Sequence, residues 1–183
     1  MKSDIINGID VLKLEEFSKA VAEDKKQGIT QFKVHTEWLE GTKSVTKVQE
    51  WKLGNQSYSR DFSILIDEPK ELLGENLAAN PQEVLMAALN ACMTVGYVVQ
   101  AAVENIKLTK LEIVTEGKID LRGFLGINPD TISGYEEIHC KVKINSNGTK
   151  EQVRKIHERV TQTSPNYWNI MNAVKIYTDL NME

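Results

Sequence analysis

The run from Val84 to Val103, in which only Asn90, Cys92, Thr94, Gly96 and Gln100 break a series of apolar residues, constrains this chain more than any other segment. Directly before it stands Asn80-Pro81-Gln82-Glu83. Asn80 suits an N-cap, Pro81 suits the first helical position, and Glu83 lies where a capping-box acid reaches back, so a helix is predicted from Pro81. A helix apolar around its whole circumference must be covered on every side. One twisted sheet covers a single side, and Ala87, Ala88 and Ala91 are small enough for another helix to approach. A second copy of the chain supplies that cover most economically, so a homodimer is expected. The alternative cover is the chain's own helix at residues 149–163 together with its N-terminal arm.

Length and charge narrow the remaining possibilities. At 183 residues the chain is large enough for one domain with a sizeable core. A formal net charge of -4 argues against a nucleic-acid partner. No basic segment precedes a short apolar stretch at the N-terminus, so no secretory signal is expected. The 84–103 run approaches membrane-spanning length, but its polar interruptions and many alanines favour a buried helix, and no membrane partner is expected. Cys92 and Cys140 make neither a metal spacing nor a disulfide framework, which points to a reducing, cytoplasmic setting. His35, His139 and His157 form no ligand set, so neither metal nor cofactor is expected.

The order of elements follows from periodicity. Residues 9–26 carry Leu12, Leu14, Phe17, Val21 and Ala22 at helical spacing, ended by Gly28. They are read as part of an N-terminal helical arm, residues 1–30, outside a main domain of residues 31–183. Alternation from Gln31 to Glu50 predicts a hairpin turning at Glu40-Gly41-Thr42, and Gly54-Asn55 turns into a third strand, Tyr58 to Ile66. Asp67-Glu68-Pro69 stops that strand. After the long helix, Leu108–Arg122 and Gly134–Asn145 read as strands, with a glycine-containing loop from Gly123 to Ser133. A helix is expected from Thr149 to about Gln162, with Val153, Ile156 and Val160 inward. Ser164-Pro165 breaks it, a short helix follows around Tyr167–Asn172, and Val174-Lys175-Ile176-Tyr177 reads as a closing strand. The class is α+β, with antiparallel sheets around a buried central helix.

The two cysteines differ in setting. Cys140 shares a strand face with Ile138, Val142 and Ile144, where a thiol behaves as a small hydrophobe. Cys92 sits about three turns into the apolar helix, beyond the reach of the field at the helix N-terminus. A thiol without assistance is only a few per cent thiolate at neutral pH. An active Cys92 therefore needs help from another element.

The segment Asn80-Pro81-Gln82-Glu83-Val84-Leu85-Met86-Ala87-Ala88-Leu89-Asn90-Ala91-Cys92-Met93-Thr94 resembles the helix motif of the OsmC-like family of osmotically inducible and organic hydroperoxide resistance proteins. The similarity extends through Phe62-Ser63-Ile64, Asp67-Glu68-Pro69, residues 111–117 and the helix leading to Pro165. The resemblance implies an intertwined homodimer with two sheets wrapping two central helices. It also implies that Cys92 is the attacking cysteine of a peroxide-reducing site. In such members a second cysteine, just before a late proline, closes a disulfide that a thiol or dihydrolipoyl donor reduces. Here that position is Ser164, whose hydroxyl cannot form a disulfide. The acid expected ten residues before the helix cysteine is Gln82, a neutral amide, and no arginine lies in the first hairpin. Lys43 near the hairpin turn and Arg60 on the third strand are the cations left as thiolate stabilisers. Tyr167 and Trp168, after Ser164-Pro165, are candidates to line a pocket over Cys92.

Two readings stay open on these residues. One is a thiol peroxidase, in which Cys92 reduces an organic hydroperoxide and an external thiol resolves the sulfenic acid. The other is a catalytically weak or inactive relative that holds an apolar small molecule at its dimer interface.

Overall fold

In the computed structural model, which describes residues 4–182, the predicted cap of the long helix is present in both halves. The Glu83 N–H donates to Asn80 Oδ1 at 2.8 Å, and the Asn80 N–H donates to Glu83 Oε2 at 2.8 Å. They open α2 (Pro81–Val103). The chain forms two compact units, Met1–Ala87 and Ala88–Glu183, with the division inside α2. Residues 1–3 of the expected arm lie outside the described residues.

The first unit opens with a small hairpin, β1 (Ile5–Ile6) and β2 (Ile9–Asp10), that periodicity does not reveal. Asn7 and Gly8 turn it with φ of 52° and 80°, the left-handed pair that a tight hairpin turn requires. Asp10 then caps α1 (Val11–Glu23) by accepting from the Lys13 N–H, and a 3-10 turn follows at Lys25–Gly28. The main sheet is an antiparallel meander. Its first strand is interrupted into β3 (Thr30–Phe32) and β4 (His35–Glu40), and both pair with β5 (Lys43–Leu53). β6 (Gln56–Ile66) lies on the other side of β5. The expected turns hold, with Gly41 and Gly54 both at positive φ. Trp38 and Phe62 are 74% and 61% exposed, so this sheet leaves large apolar side chains uncovered within the chain.

Asp67 organises the loop that leads into α2. Its carboxylate is fully buried and accepts from Thr42 Oγ1 at 2.7 Å and from the N–H groups of Glu68, Glu75 and Leu77 at 2.9, 3.0 and 3.1 Å. Burial is the largest single influence and pushes the carboxyl upward. The donors from Thr42, Leu77, Glu68 and Glu75 together reverse that, holding it below the usual carboxylate range. Gly74 is required here, because a Cβ would stand 1.8 Å from the Glu68 carbonyl oxygen.

The second unit holds the hydrophobic core. Leu89, Met93, Tyr97 and Ala101, four residues apart on α2, form one buried stripe with Ile106, Ile156 and Val160. Against it pack residues of the ribbon formed by β7 (Leu108–Gly117) and β8 (Ile138–Ser146). Burying side chains such as Leu89 and Met93 contributes roughly 1.5–3 kcal/mol each. The cover expected all round α2 is thus present along one stripe, while Val95 on the helix is 63% exposed. α2 is long and apolar enough to cross a membrane by length and composition alone, as core helices also are.

Three expectations need correction. The strand expected over Leu108–Arg122 stops at Gly117, which pairs with Ile138, the first residue of β8. A Cβ on Gly117 would meet the Tyr135 ring at 2.7 Å, so the chain folds back closely there. Beyond it, Asp120 accepts from the Arg122 N–H and caps a short helix, α3 (Leu121–Phe124). The strand expected from Gly134 therefore begins only at Ile138. The closing strand expected at Val174–Tyr177 does not form, and residues 172–182 carry no regular structure. Its alternating pattern meets no ladder partner among the described residues, and a strand without one leaves its backbone groups to water.

Candidate functional site

Cys92 is brought into a site by the corner between α4 (Lys150–Thr163) and α5 (Pro165–Met171). Thr149 and Gln152 cap α4 reciprocally, as a capping box does, and its inward face buries Ile156 and Val160. Proline has no N–H to continue the ladder, so the helix ends and Pro165 starts a new one at its first position. Ser164 is the hinge of that corner. Its N–H donates to the Val160 carbonyl at 2.9 Å, and its own carbonyl accepts from the Trp168 N–H at 3.0 Å.

The Ser164 side chain does something unusual for its position. A serine at an N-cap ordinarily accepts from an N–H of the first helical turn, which contributes about 1 kcal/mol. Ser164 makes no such bond. It is 4% exposed, and its Oγ donates to Cys92 Sγ at 3.2 Å. The next turn of contact is made by Asn166, whose Nδ2 donates to the Ala88 carbonyl at 2.9 Å. One turn the other way, Gly96 lets α4 approach, since a Cβ there would lie 3.2 Å from Val160 Cγ1. Ala88, Cys92 and Gly96 thus stand at successive four-residue steps on α2 and face Asn166, Ser164 and Val160 in turn.

Beneath the same helix runs a second polar group. Thr115 Oγ1 donates to Asn90 Oδ1 at 2.5 Å and lies 3.3 Å from Cys140 Sγ. A hydroxyl has one hydrogen to give, so Asn90 Oδ1 and Cys140 Sγ are alternative acceptors for it, with the Asn90 contact the shorter. Asn90 Nδ2 donates in turn to the Ile113 carbonyl at 3.4 Å. Cys140 packs against the core as its strand face predicts, with this polar contact as an addition. Further along α2, the fully buried Tyr97 bonds His157 Nδ1 at 2.5 Å through its hydroxyl. Burial, and then the nearby Cys140, push the Tyr97 phenol up to about 12.

Of the five candidate site residues, Cys92 and Ser164 meet directly. Within its own unit, Lys43 Nζ donates to Glu75 Oε1 at 2.6 Å and stands 4.0 Å from Glu40 Oε2 as an ion pair. The Glu75 bond, partly opposed by desolvation, raises the Lys43 ammonium above its ordinary value. Arg60 lies over the Trp51 ring, 5.2 Å from its centroid, in a ladder where Phe32 and Tyr58 stack on Trp51. Gln82 is exposed in the first turn of α2, beside the capping Glu83. Tyr167 packs against the core while Trp168 stays exposed. His35 and His139 pair with Glu37 and Glu137. Asn166 gave no signal in the sequence. Asn90 did, as a polar interruption of the apolar run.

The arrangement therefore offers a partly exposed thiol whose neighbour is a buried neutral donor. Such a thiol can act as a nucleophile or accept oxidation without a second sulfur at Ser164.

Comparison with known proteins gives the frame. The model of the OsmC-like protein family matches residues 74–179. No curated protein matches the chain. An OsmC-like protein from Mycoplasma pneumoniae is 18% identical with a TM-score of 0.61, covering 77% of this chain and 87% of that one. An OsmC-like protein of unknown function from Vibrio cholerae is 13% identical with a TM-score of 0.56, covering 76% and 92%. A hypothetical protein from Aquifex aeolicus is 15% identical with a TM-score of 0.54, covering 77% and 87%. At these identities the likeness is one of fold.

Proposed function

We propose that this chain, which belongs to the OsmC-like protein family, is a thiol peroxidase that reduces organic hydroperoxides through Cys92 and relies on an external thiol for resolution. The observation that carries the proposal is the pairing of Cys92 Sγ with Ser164 Oγ at 3.2 Å. In the first step the Cys92 thiolate attacks the terminal peroxide oxygen. The O–O bond breaks, the alkoxide leaves and takes up a proton, and Cys92 becomes a sulfenic acid. Sulfur is oxidised by two electrons and the peroxide is reduced to an alcohol.

Resolution then has to come from outside. A thiol attacks the sulfenic sulfur, water leaves, and a mixed disulfide forms on Cys92. A second thiol, or the second sulfur of a dihydrolipoyl-type dithiol, attacks that disulfide and releases Cys92 as a thiol. Ser164 cannot replace either step, because an oxygen in its place forms no disulfide. A reducing cytoplasm would supply such thiols, which fits the cysteine usage of the chain.

We further propose that the working unit is a homodimer. Exposed Trp38 and Phe62 on the first unit's sheet, and Val95 on α2, are apolar surface that a second copy would cover.

One observation favours the second reading, a relative that binds an apolar molecule without turnover. The side-chain partner of Cys92 is a neutral hydroxyl, whereas Lys43 and Arg60 are engaged by Glu75 and Trp51. Consumption of cumene hydroperoxide in the presence of a dithiol separates the two. The peroxidase reading expects turnover in the wild type and none in Cys92→Ser. Equal background rates in both proteins would leave the binding reading.

A further inference from the structure

We infer that Ser164 is a positioning residue for Cys92, supplying the hydrogen bond that favours its anionic sulfur, in place of the helix cap this serine would otherwise make. The inference rests on the thiol reading of the site, but not on a peroxide being the substrate. Three features of the corner carry it. Ser164 occupies the N-cap of α5 and makes no side-chain cap, so its hydroxyl is withheld from the obvious acceptor role. The side chain is buried, and its Oγ lies 3.2 Å from Cys92 Sγ. Its backbone is fixed on both sides, by the bond from its N–H to Val160 and by the bond from the Trp168 N–H to its carbonyl.

The chemistry gives the contact a direction. While Cys92 carries its proton, either group can donate to the other. Once the proton has left, only the hydroxyl has a hydrogen to give, so the bond is stronger for the thiolate than for the thiol. A donor that prefers the charged form raises the population of that form. Part of the gain is offset, because a stabilised thiolate is a weaker nucleophile. The net effect on reactivity at neutral pH is accordingly a moderate acceleration.

The corner is also held in register with the helix that carries the sulfur. Asn166 bonds the Ala88 carbonyl one turn before Cys92, and Gly96 admits Val160 one turn after it. Ser164 therefore addresses Cys92 from a clamp with contacts on both flanks. A hydroxyl held in this way loses little additional freedom when it bonds the sulfur, which makes the orientation effective.

The test uses iodoacetamide as the electrophile, with the full chain and the modification of Cys92 quantified by peptide mapping. Wild type is compared with Ser164→Ala, and with the near-isosteric pair Ser164→Thr and Ser164→Val. At pH 7, Ser164→Ala and Ser164→Val should react about three- to ten-fold more slowly than wild type. Ser164→Thr, which restores the hydroxyl at the volume of valine, should recover the wild-type rate to within about two-fold. If Ser164→Ala does not fold, the comparison of Thr with Val still decides. Equal rates in all folded variants would overturn the inference, as would a threonine variant as slow as the valine one. Peroxide turnover, measured in parallel, separates this from the peroxidase reading. A hydroxyl-dependent alkylation rate without turnover would remove the peroxidase and keep the positioning role. Turnover with hydroxyl-independent alkylation would do the reverse.

Discussion

Ser164 directs its hydroxyl at Cys92 Sγ, 3.2 Å away, from a helix N-cap at which its side chain makes no capping bond. The consequence is that the residue best placed to resolve an oxidised Cys92 cannot form a disulfide with it. Ser164→Cys should restore that ability. A second sulfur at this position would capture the sulfenic acid intramolecularly and shorten its exposure to further peroxide. We expect survival of activity through excess cumene hydroperoxide to rise at least about ten-fold, with a disulfide between Cys92 and the introduced thiol in the peptide map. A variant that inactivates as fast as wild type and shows no such disulfide would contradict this.

The dimer has a direct check. Light scattering at micromolar concentration should give a particle of about twice the 20.7 kDa chain mass. Replacing Phe62 by Asp, in the middle of an exposed apolar sheet, should shift the population toward single chains. A wild type that is monodisperse at the mass of one chain would rule the dimer out.

Asp67 should behave as the organiser of the loop before α2. Its carboxyl is held below the usual range, so the stabilisation it provides is present above the unfolded-state value near 4 and fades as pH falls through the folded value. Asp67→Asn keeps the shape but replaces one acceptor oxygen with a donor group. The amides of Glu75 and Leu77, which both donate to Asp67 Oδ2, should then exchange with solvent about ten-fold or more faster. Unchanged protection at both would show that the loop is held by other contacts.

Much of the fold was legible because its signals are local. Asn80, Pro81 and Glu83 specify the start of α2 through backbone groups only three residues apart, and Gly41 and Gly54 specify their turns in the same way. The hairpin at Asn7-Gly8 went unread, because the strands beside it are only two residues each and show no alternation. The errors fall where the outcome depends on a distant partner. Leu108–Arg122 alternates well past Gly117, but a strand ends where its neighbour ends, and β8 begins only at Ile138. Val174–Tyr177 has a strand's pattern but joins no ladder among the described residues. At the site, Cys92 and Ser164 were identified by their resemblance to a family motif. Their mutual distance, and the clamp made by Asn166 and Gly96, depend on how α4 and α5 pack on α2, which no spacing along the chain encodes.

Tyr97 offers a test of the core at alkaline pH. Its phenol is pushed up to about 12, above the usual value near 10, so the folded state holds this proton more tightly than the unfolded one. Stability is fully present below pH 10 and is lost as pH rises from about 10 to 12, by on the order of 1–3 kcal/mol. Tyr97→Phe removes that component, at a cost of roughly 0.5–1.5 kcal/mol near neutrality for the bond to His157. Denaturant melts at pH 7 and pH 11 should therefore differ more for wild type than for the variant. Equal differences would place the alkaline sensitivity elsewhere.

Whether Cys92 is a peroxidatic thiol is decided by its oxidation state after one equivalent of cumene hydroperoxide, read by mass spectrometry with a sulfenic-acid trap and again with a small thiol present. A peroxidase should show sulfenic acid at Cys92 in the first case, a mixed disulfide at Cys92 in the second, and an unmodified Cys140 in both. A Cys92 that stays fully reduced while the peroxide persists, or a disulfide joining Cys92 to Cys140, would contradict that reading.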